Sequence, residues 1–528
     1  MSARERIASL LDAGSFVEMD RHLNSRDPLH FFDGTSYRKE MRRVGDKTDL
    51  VDALLTGKGK IEGRGVLIAA FDFAFFGGSM GSVVGEKLVR LFACGTKEKL
   101  PVVVVTTTGG ARIQEGMVAL SMMARTALAV SQMQEAGVPF ICLLADPTMG
   151  GVFVSFASLA DVLLAEPGAR VGFVGARVHV QALGEEAPCG SAEFALEHGL
   201  IDAIVGRDEQ RATIARILGS LQPSGPQQAQ PVRERVHWRQ ARRSAWSVVE
   251  LARRADRPSG RELAESIFDS LFSLRGDRMG EDDPSVMAAL GRLGKQSVVV
   301  VAQDRHAANG GRTTPSGFSK AQRAFLLAER LHLPVVTLVD TPGAQADQEA
   351  EGEGIAFAIA HSLALLSRLK TPVVNVIVGE GGSGGALGFA VGDKTLMLEN
   401  SFFSVISPEG AASILYRDAA KASAVAERLR LTASDLLKLG VADMVLAEQP
   451  PLHVDAAPTA KMLAEALDWE LARLGQESVS DLLSKREQRY SRIGEVSGRW
   501  HLFLTRTFPS LPMRALTGSI YHVAKWLS

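Results

Sequence analysis

The chain has 528 residues, a formal net charge of −1 and 46% apolar residues. That balance gives no reason to expect nucleic-acid binding, and the length suits about three units of ordinary domain size. Three cysteines, Cys94, Cys142 and Cys189, none in a C-x-x-C pair, support neither a disulfide framework nor a zinc site, so a reducing, cytoplasmic setting is expected.

Residues 1–60 read as polar and helical, a cap on the unit behind them. The opening MSARERIASLLDAGSF lacks the apolar stretch of a signal peptide. Nowhere is there an uninterrupted apolar run of about 18 residues, so no membrane span is expected. From Gly63, short apolar runs end in glycine: GVLIAAFDFAFFGG, then LPVVVVTTTGGAR. Between them, SVVGEKLVRLFACGTKEK spaces Val84, Leu88, Leu91 and Phe92 as a helix does. Strand, glycine turn and helix in alternation predict an α/β unit over residues 1–218.

Residues 219–258 break the pattern. LQPSGPQQAQP reads as a linker, and VRERVHWRQARRSAW and LARRADRP as its basic continuation. The plain reading of that charge is a solvated face; the sharper one is a docking surface for an acidic partner or for phosphates. A second α/β unit spans residues 259–456. Residues 457–528 read as a helical tail of no assigned role. Its aromatic and basic end, HLFLTRTFPSLPMRALTGSIYHVAKWLS, is expected to pack on the body rather than to contact a membrane.

The two units repeat each other. LPVVVVTTTGGA begins at Leu100 and LPVVTLVDTPGA at Leu333, 233 residues on. VPFICLLADPTMGG carries Pro139 and TPVVNVIVGEGGSGG carries Pro372, again 233 apart. DVLLAEPGARVGFVG near Asp161 answers DKTLMLENSFFSVIS near Asp393, and EHGLIDAIV at Glu197 answers KLGVADMVL at Lys438. A register kept this long predicts a duplicated domain forming a pseudo-symmetric pair.

A glycine pair between a buried strand and a helix leaves backbone N–H groups exposed beside the positive end of the helix. Such a corner suits an oxygen that gains charge during reaction. Each half offers one at its later strand: Gly150 and Gly151 in the first, Gly384, Gly385 and Ala386 in the second. Each also has an earlier turn: Gly109, Gly110 and Ala111, with Arg112 beside them, and Gly343 with Ala344. One glycine pair alone is more often a tight turn than a site; two matched sets predict two oxyanion holes and two enolate-like species. GGSGG around Ser383 has only a superficial likeness to a nucleophile motif. His179, His198 and His361 read as structural or exposed. No side-chain acid–base set is evident, which suits a base carried by the substrate.

FFGGSMGSVVGEKLVR (Phe75 to Arg90), TTGGARIQEGMVALSMMARTA (Thr107 to Ala127) and DPTMGGVFVSFASLADVLLAEPGARVGFVGARV (Asp146 to Val178) resemble the β subunit of bacterial acetyl-CoA carboxylase carboxyltransferase. LLDAGSFVEMD and DPLHFFDGTSYRKEM do so too. DRPSGRELAESIFDSLFSLRGDR (Asp256 to Arg278), LPVVTLVDTPGA and VIVGEGGSGGALGFAVGDKTLMLENSFFSVISPEGAASILYRDAAKA (Val376 to Ala422) resemble its α subunit. The resemblance spans about residues 5–447 and implies a crotonase-like β-β-α superhelix in each half. It implies acyl-CoA in the first half and carboxybiotin, borne by a separate carrier protein, in the second. Carried over by position, Gly150 and Gly151 would stabilise a thioester enolate, and Gly385 and Ala386 the biotin ureido oxyanion formed as CO2 leaves. Gly109, Gly110, Ala111, Arg112, Gly343, Ala344 and Gly384 would bind substrate. The biotin nitrogen would take the α-proton, and the enolate would attack CO2.

The chain departs from the family in two places. The family's N-terminal four-cysteine ribbon is missing, so no zinc or other metal is expected. QDRHAANGGRTTPSGFSKAQR (Gln303 to Arg323) is shorter and less basic than the α-subunit pattern. No M-K-M biotin-attachment motif or ATP-grasp region is present, so biotin carboxylase and biotin carboxyl carrier protein are expected on separate chains. A homo-oligomer is expected; the resemblance implies that the first half of one copy faces the second half of another, and the sequence leaves open the same pairing within one chain. Acetyl-CoA, giving malonyl-CoA, is the expected acceptor and propionyl-CoA the next, with pocket size set near Phe153, Phe156 and Leu387. The competing readings are a decarboxylase of the same superfamily acting on a malonyl thioester, and a non-catalytic assembly subunit.

Overall fold

A computed structural model describes residues 1–25, 27, 29–32, 34–173, 190–221 and 243–493. The first sheet holds β1 (Val17–Met19), β2 (Leu54–Ile61), β3 (Arg64–Phe71), β4 (Val102–Thr108), β5 (Phe140–Met149), β6 (Val162–Ala165), β7 (Val171–Gly172) and β8 (Ala203–Ile204). The second holds β9 (Asp269–Ser273), β10 (Val286–Leu293), β11 (Gln296–Gln303), β12 (Val335–Thr341), β13 (Val373–Gly382), β14 (Lys394–Leu398), β15 (Phe402–Ser404) and β16 (Met444–Leu446). Their orders match: β1-β2-β3-β4-β5-β6-β8 with β7 on β5, and β9-β10-β11-β12-β13-β14-β16 with β15 on β13.

The duplication holds at single-residue register. Val102 pairs with Phe140, and Val335 with Val373, each 233 residues on. Both pairings slip at the same step, between Thr106 and Thr108 and between Val339 and Thr341. Such a slip bends a strand end out of its ladder, and here it starts the turns that form the site. β4 (VVVVTTT) and β12 (VVTLVDT) are buried along their whole length, as parallel strands covered on both faces must be. Helices Ser82–Glu98 and Pro315–Arg330 lead into β4 and β12. The second is started by Thr314, whose hydroxyl accepts from the Gly317 N–H, with Pro315 at its first position. The repeat extends to a buried lysine on each: Lys87 Nζ donates to the Leu54 carbonyl at 2.9 Å, and Lys320 Nζ to the Asp283 carbonyl at 3.1 Å.

The halves share one core. Ile217, Leu218 and Leu221, on and just after helix Arg207–Ser220, pack with Phe272, Leu274 and Val299 of the second half. Ion pairs also cross the junction, from Asp202 to Arg278 (2.5 Å) and Arg323 (3.3 Å) and from Asp161 to Arg330.

The expected linker needs correction at both ends. Helix Arg207–Ser220 runs past residue 218. Residues 245–252 form a helix whose Ala245, Val248 and Val249 pack against Phe402, Ala426 and Leu431 of the second half. After that helix, two of the basic residues are engaged in ion pairs: Arg253 pairs with Glu380 (2.6 Å) and Glu409 (2.7 Å), and Arg257 with Glu448 (2.7 Å). Residues 222–242, the aromatic and basic end beyond 493, His179 and Cys189 lie outside the described residues. The described tail is two helices, Ala457–Leu474 and Val479–Arg492, packed on the second half. Among the described residues, no helix is long and apolar enough to cross a membrane.

Candidate functional site

In the first half, β4 and β5 end side by side in glycine turns. Thr108 Oγ1 accepts from the Gly110 N–H at 2.9 Å, and Gly110 turns through φ 117°. Met80 then bridges the turn: its N–H donates to the Gly110 carbonyl (2.9 Å), and its carbonyl accepts from the Arg112 N–H (3.0 Å). The Ala111 N–H, between them, donates to no acceptor among the described residues. From the β5 side, Gly150 (φ 62°) opens a single turn, Gly150–Val152, whose leading N–H groups lack an acceptor within it. A Cβ placed on Gly151 would stand 3.5 Å from the Ala111 nitrogen. One placed on Gly110 would stand 3.5 Å from the Gly151 nitrogen. The two free N–H groups therefore border one small space.

The second half repeats each step. Thr341 Oγ1 accepts from the Gly343 N–H at 3.1 Å. Thr313 bridges the turn, from its N–H to the Gly343 carbonyl (3.3 Å) and from the Gln345 N–H to its own carbonyl (2.9 Å). Ala344, 233 residues after Ala111, likewise keeps a free N–H among the described residues. β13 runs into the short helix Ser383–Leu387. A Cβ on Gly385 would fall 2.2 Å from the Ala344 nitrogen and 2.4 Å from the Gly343 carbonyl carbon, so only glycine fits. Gly384 and Gly385 lie in the first turn, where N–H groups have no intrahelical acceptor. Ala386 comes one turn in, where helical register sets its N–H toward the Gly382 carbonyl, and its methyl is buried. Ser383 has φ 51° at the position where the first half has Gly150. A left-handed, exposed serine at a strand-to-helix corner has the shape of a nucleophile elbow, yet its hydroxyl bonds to no described residue.

The structure thus brings Gly109, Gly110 and Ala111 against Gly150 and Gly151, and Gly343 and Ala344 against Gly385. Two expectations are corrected. The Arg112 side chain cannot bind substrate, because it is wholly buried and paired with Asp52. Phe156 cannot size a pocket, because it is buried and stacked on Phe71 at 6.2 Å. Phe153 is half-buried and Leu387 exposed. His198 is structural: it stacks on Phe194, and its Nδ1 lies 2.9 Å from the Phe194 carbonyl. Sequence reasoning missed Thr108 and Thr341, although threonine two residues before the second turn glycine recurs in the repeat. It also missed Tyr37 and Asp52, which no local motif marks. A cavity of 870 Å³ under the N-terminal segment, lined by Arg4, Tyr37, Arg42 and Lys87 among others, includes none of the glycine turns. Among the described residues, no group of three or more His, Cys, Asp or Glu side chains is placed to hold a metal.

Residues 228–494 match the family model described as acetyl co-enzyme A carboxylase carboxyltransferase-like. The chain belongs to this carboxyltransferase family. A relative from Saccharopolyspora erythraea, named acetyl-coenzyme A carboxylase carboxyl transferase subunits beta/alpha, is 41% identical over 509 residues, covering 94% of this chain and 89% of its own length. One of the same name from Frankia alni is 44% identical over 511 residues, covering 94% and 84%. A probable biotin-dependent acyl-coenzyme A carboxylase beta3 subunit from Mycobacterium bovis is 35% identical, covering 92% and 97%. Among solved structures, the transcarboxylase 12S hexamer with methylmalonyl-coenzyme A bound superposes with a TM-score of 0.73 at 25% identity, covering 90% and 91%. The protein is therefore a carboxyl-transferring enzyme built from two crotonase-like halves.

Proposed function

We propose that this carboxyltransferase moves a carboxyl group from carboxybiotin, carried on a separate biotin carboxyl carrier protein, to acetyl-CoA, forming malonyl-CoA. The observation that carries the reading is the pair of corners built on the register-equivalent Ala111 and Ala344, the first with Gly151 and the second with Gly385, each presenting free backbone N–H groups to one small space. A single preorganised donor of this kind lowers a barrier by about 3–4 kcal/mol where charge develops on oxygen. In the first half, Ala111 and Gly151 would hold the thioester oxygen as the α-carbon loses its proton. In the second, Ala344 and Gly385, flanked by Gly384 and Ala386, would hold the ureido oxygen; the absence of any Cβ at 385 lets the short helix close on the Gly343 and Ala344 backbone. Bound there, carboxybiotin supplies the CO2 and the nitrogen that accepts the α-proton. Neither half then needs a side-chain base.

The relatives' names support acetyl-CoA as acceptor, and the methylmalonyl-coenzyme A bound to the 12S transcarboxylase makes propionyl-CoA the next candidate. Biotin carboxylase would act from its own chain. Exposed Ile113, Met117 and Phe173 near the first corner, and Phe357, Ile414 and Leu415 in the second half, support a homo-oligomer in which unlike halves face each other. Cys94 and Cys142 are free thiols, in keeping with a cytoplasmic setting. The test is the reverse reaction: purified protein with malonyl-CoA or methylmalonyl-CoA and biocytin, following release of acetyl- or propionyl-CoA. Biocytin-dependent release is expected, faster from malonyl-CoA. Release that ignores biocytin would favour a decarboxylase instead, and no release from either ester would favour an assembly subunit.

A further inference from the structure

Arg112 stands next to the first corner with no exposed side-chain surface. Each of its five N–H donors has an acceptor. Asp52 takes two, at 2.6 and 3.1 Å, and the Tyr37 hydroxyl shares one at 3.1 Å. Ser79 takes two more, at its carbonyl (2.8 Å) and at Oγ (3.1 Å). The rings of Phe75 and Phe76 lie 5.7 and 5.4 Å from the guanidinium carbon. Tyr37 in turn donates to Glu115 at 2.8 Å, and Glu115 accepts the Ser82 N–H at 2.6 Å. A planar fork with every donor satisfied in a dry site has one geometry open to it.

That fork is attached to the backbone that matters. The Arg112 N–H holds the Met80 carbonyl, the Met80 N–H holds the Gly110 carbonyl, and Ala111 lies between. The second half has no such lock: the register equivalent of Arg112 is Gln345, which is not fully buried and bonds to the exposed Asp347. There the tight contact of Gly385 on Ala344 fixes the corner instead. In the first half the register equivalent of Gly385 is Val152, and the glycine that faces Ala111 is Gly151, where an added Cβ would stand at an ordinary 3.5 Å. Something else must therefore hold the Ala111 N–H in line.

We propose that Arg112 is a positioning residue for the first corner: its buried fork, gripped by Tyr37 and Asp52, fixes the direction of the Ala111 N–H. This rests on the reading that the first half binds the thioester. The N-terminal segment that brings Tyr37 then belongs to the working machinery of the first half rather than to an inert cap.

The test compares two CoA thioethers as ligands. Carboxymethyl-CoA carries an anionic carboxylate oxygen one bond farther from sulfur than the enolate oxygen, and ethyl-CoA carries no oxygen there. Kd values from calorimetry report on the folded protein, independent of turnover. Wild type should prefer carboxymethyl-CoA by on the order of a hundredfold. Arg112→Lys keeps the charge and loses the fork; it should lose about tenfold or more of that preference, because small misplacements of a donor are costly. The Kd for ethyl-CoA should not move. A merely structural role would weaken both ligands alike or neither. Should Arg112→Lys fail to fold, Tyr37→Phe removes one member of the grip and is read in the same way. Preference retained in the folded variant would overturn the role of Arg112 alone. A wild type without preference would overturn the thioester reading beneath it.

Discussion

The glycines that face Ala111 and Ala344 stand one register position apart and differ in tolerance. At Gly385 a methyl would meet the Ala344 nitrogen at 2.2 Å, an overlap that backbone cannot relieve without moving the turn. At Gly151 a methyl would stand 3.2 Å from the Met123 sulfur and 3.5 Å from Ala111, and the thioether can give way. Gly151→Ala should therefore fold while crowding the space the oxyanion would occupy. A loss of about 100-fold or more in kcat, with the melting temperature within a few degrees of wild type, is the expected outcome. Steady-state kinetics of the biocytin-dependent reaction beside a thermal scan would measure it; near-normal turnover would remove Gly151 from the hole. Gly385→Ala is the wrong probe for the second half, since it would confound fold with chemistry.

At the scale of elements, the strands and their glycine turns were legible because each signal is local: a run of β-branched residues, then glycine, then helical spacing. What joins the elements was not. Asp52 and Arg112 are 60 residues apart and pair because β2, β3 and β4 lie side by side. The basic run after residue 250 read as solvated or docking charge, because its acidic partners, Glu380, Glu409 and Glu448, lie more than a hundred residues on. Those partners belong to a charged cluster at the ends of β12 and β13, where Arg253, Arg257 and Arg305 face Asp340, Glu380, Glu409 and Glu448. Carboxylates outnumber guanidiniums there by one. Asp340 is the one left short: one oxygen accepts the Glu380 N–H at 3.0 Å, and the other has no partner among the described residues. Burial pushes its carboxyl up to about 6, against the pull of Arg305. The native state then holds this proton more tightly than the unfolded chain, whose carboxyl titrates near 3.8. Stability from this group is present at low pH and falls as pH rises through the window from about 4 to 6, by about 3 kcal/mol. Asp340→Asn should abolish that fall. Urea unfolding across the window should show the variant gaining on wild type as pH rises; a constant difference would mean that Asp340 does not titrate there.

At the scale of the whole molecule, each half needs a neighbour to close its edge. In the first half, Asp161 ties β5 to the start of β6: its carboxylate accepts the Phe140 N–H at 2.8 Å, and Arg330 from the second half pairs with it. In the second half, Asp393 accepts the Val373 N–H at 2.8 Å, and the pairing arginine is Arg486, from the tail helix Val479–Arg492. That helix therefore does for the second half what helix Pro315–Arg330 does for the first, and the tail read in the sequence as without a role is in this part an end cap. Terminal caps of this kind are what a stacked repeat requires. Arg486 holds Asp393 at 2.7 and 2.9 Å and also donates to the Leu366, Leu369 and Thr371 carbonyls. Burial already pushes the Asp393 carboxyl up against that pairing. Arg486→Met would keep much of the bulk but leave a buried carboxylate and three carbonyls without their donor, at a cost of about 3–5 kcal/mol. Hydrogen exchange should localise the loss: faster exchange at Val373 and Asp393, with Phe140 and Asp161 unchanged. Equal loss in both halves would mean that the shared core, through Leu218 and Phe272, transmits the damage and that the cap does not act on the second half alone.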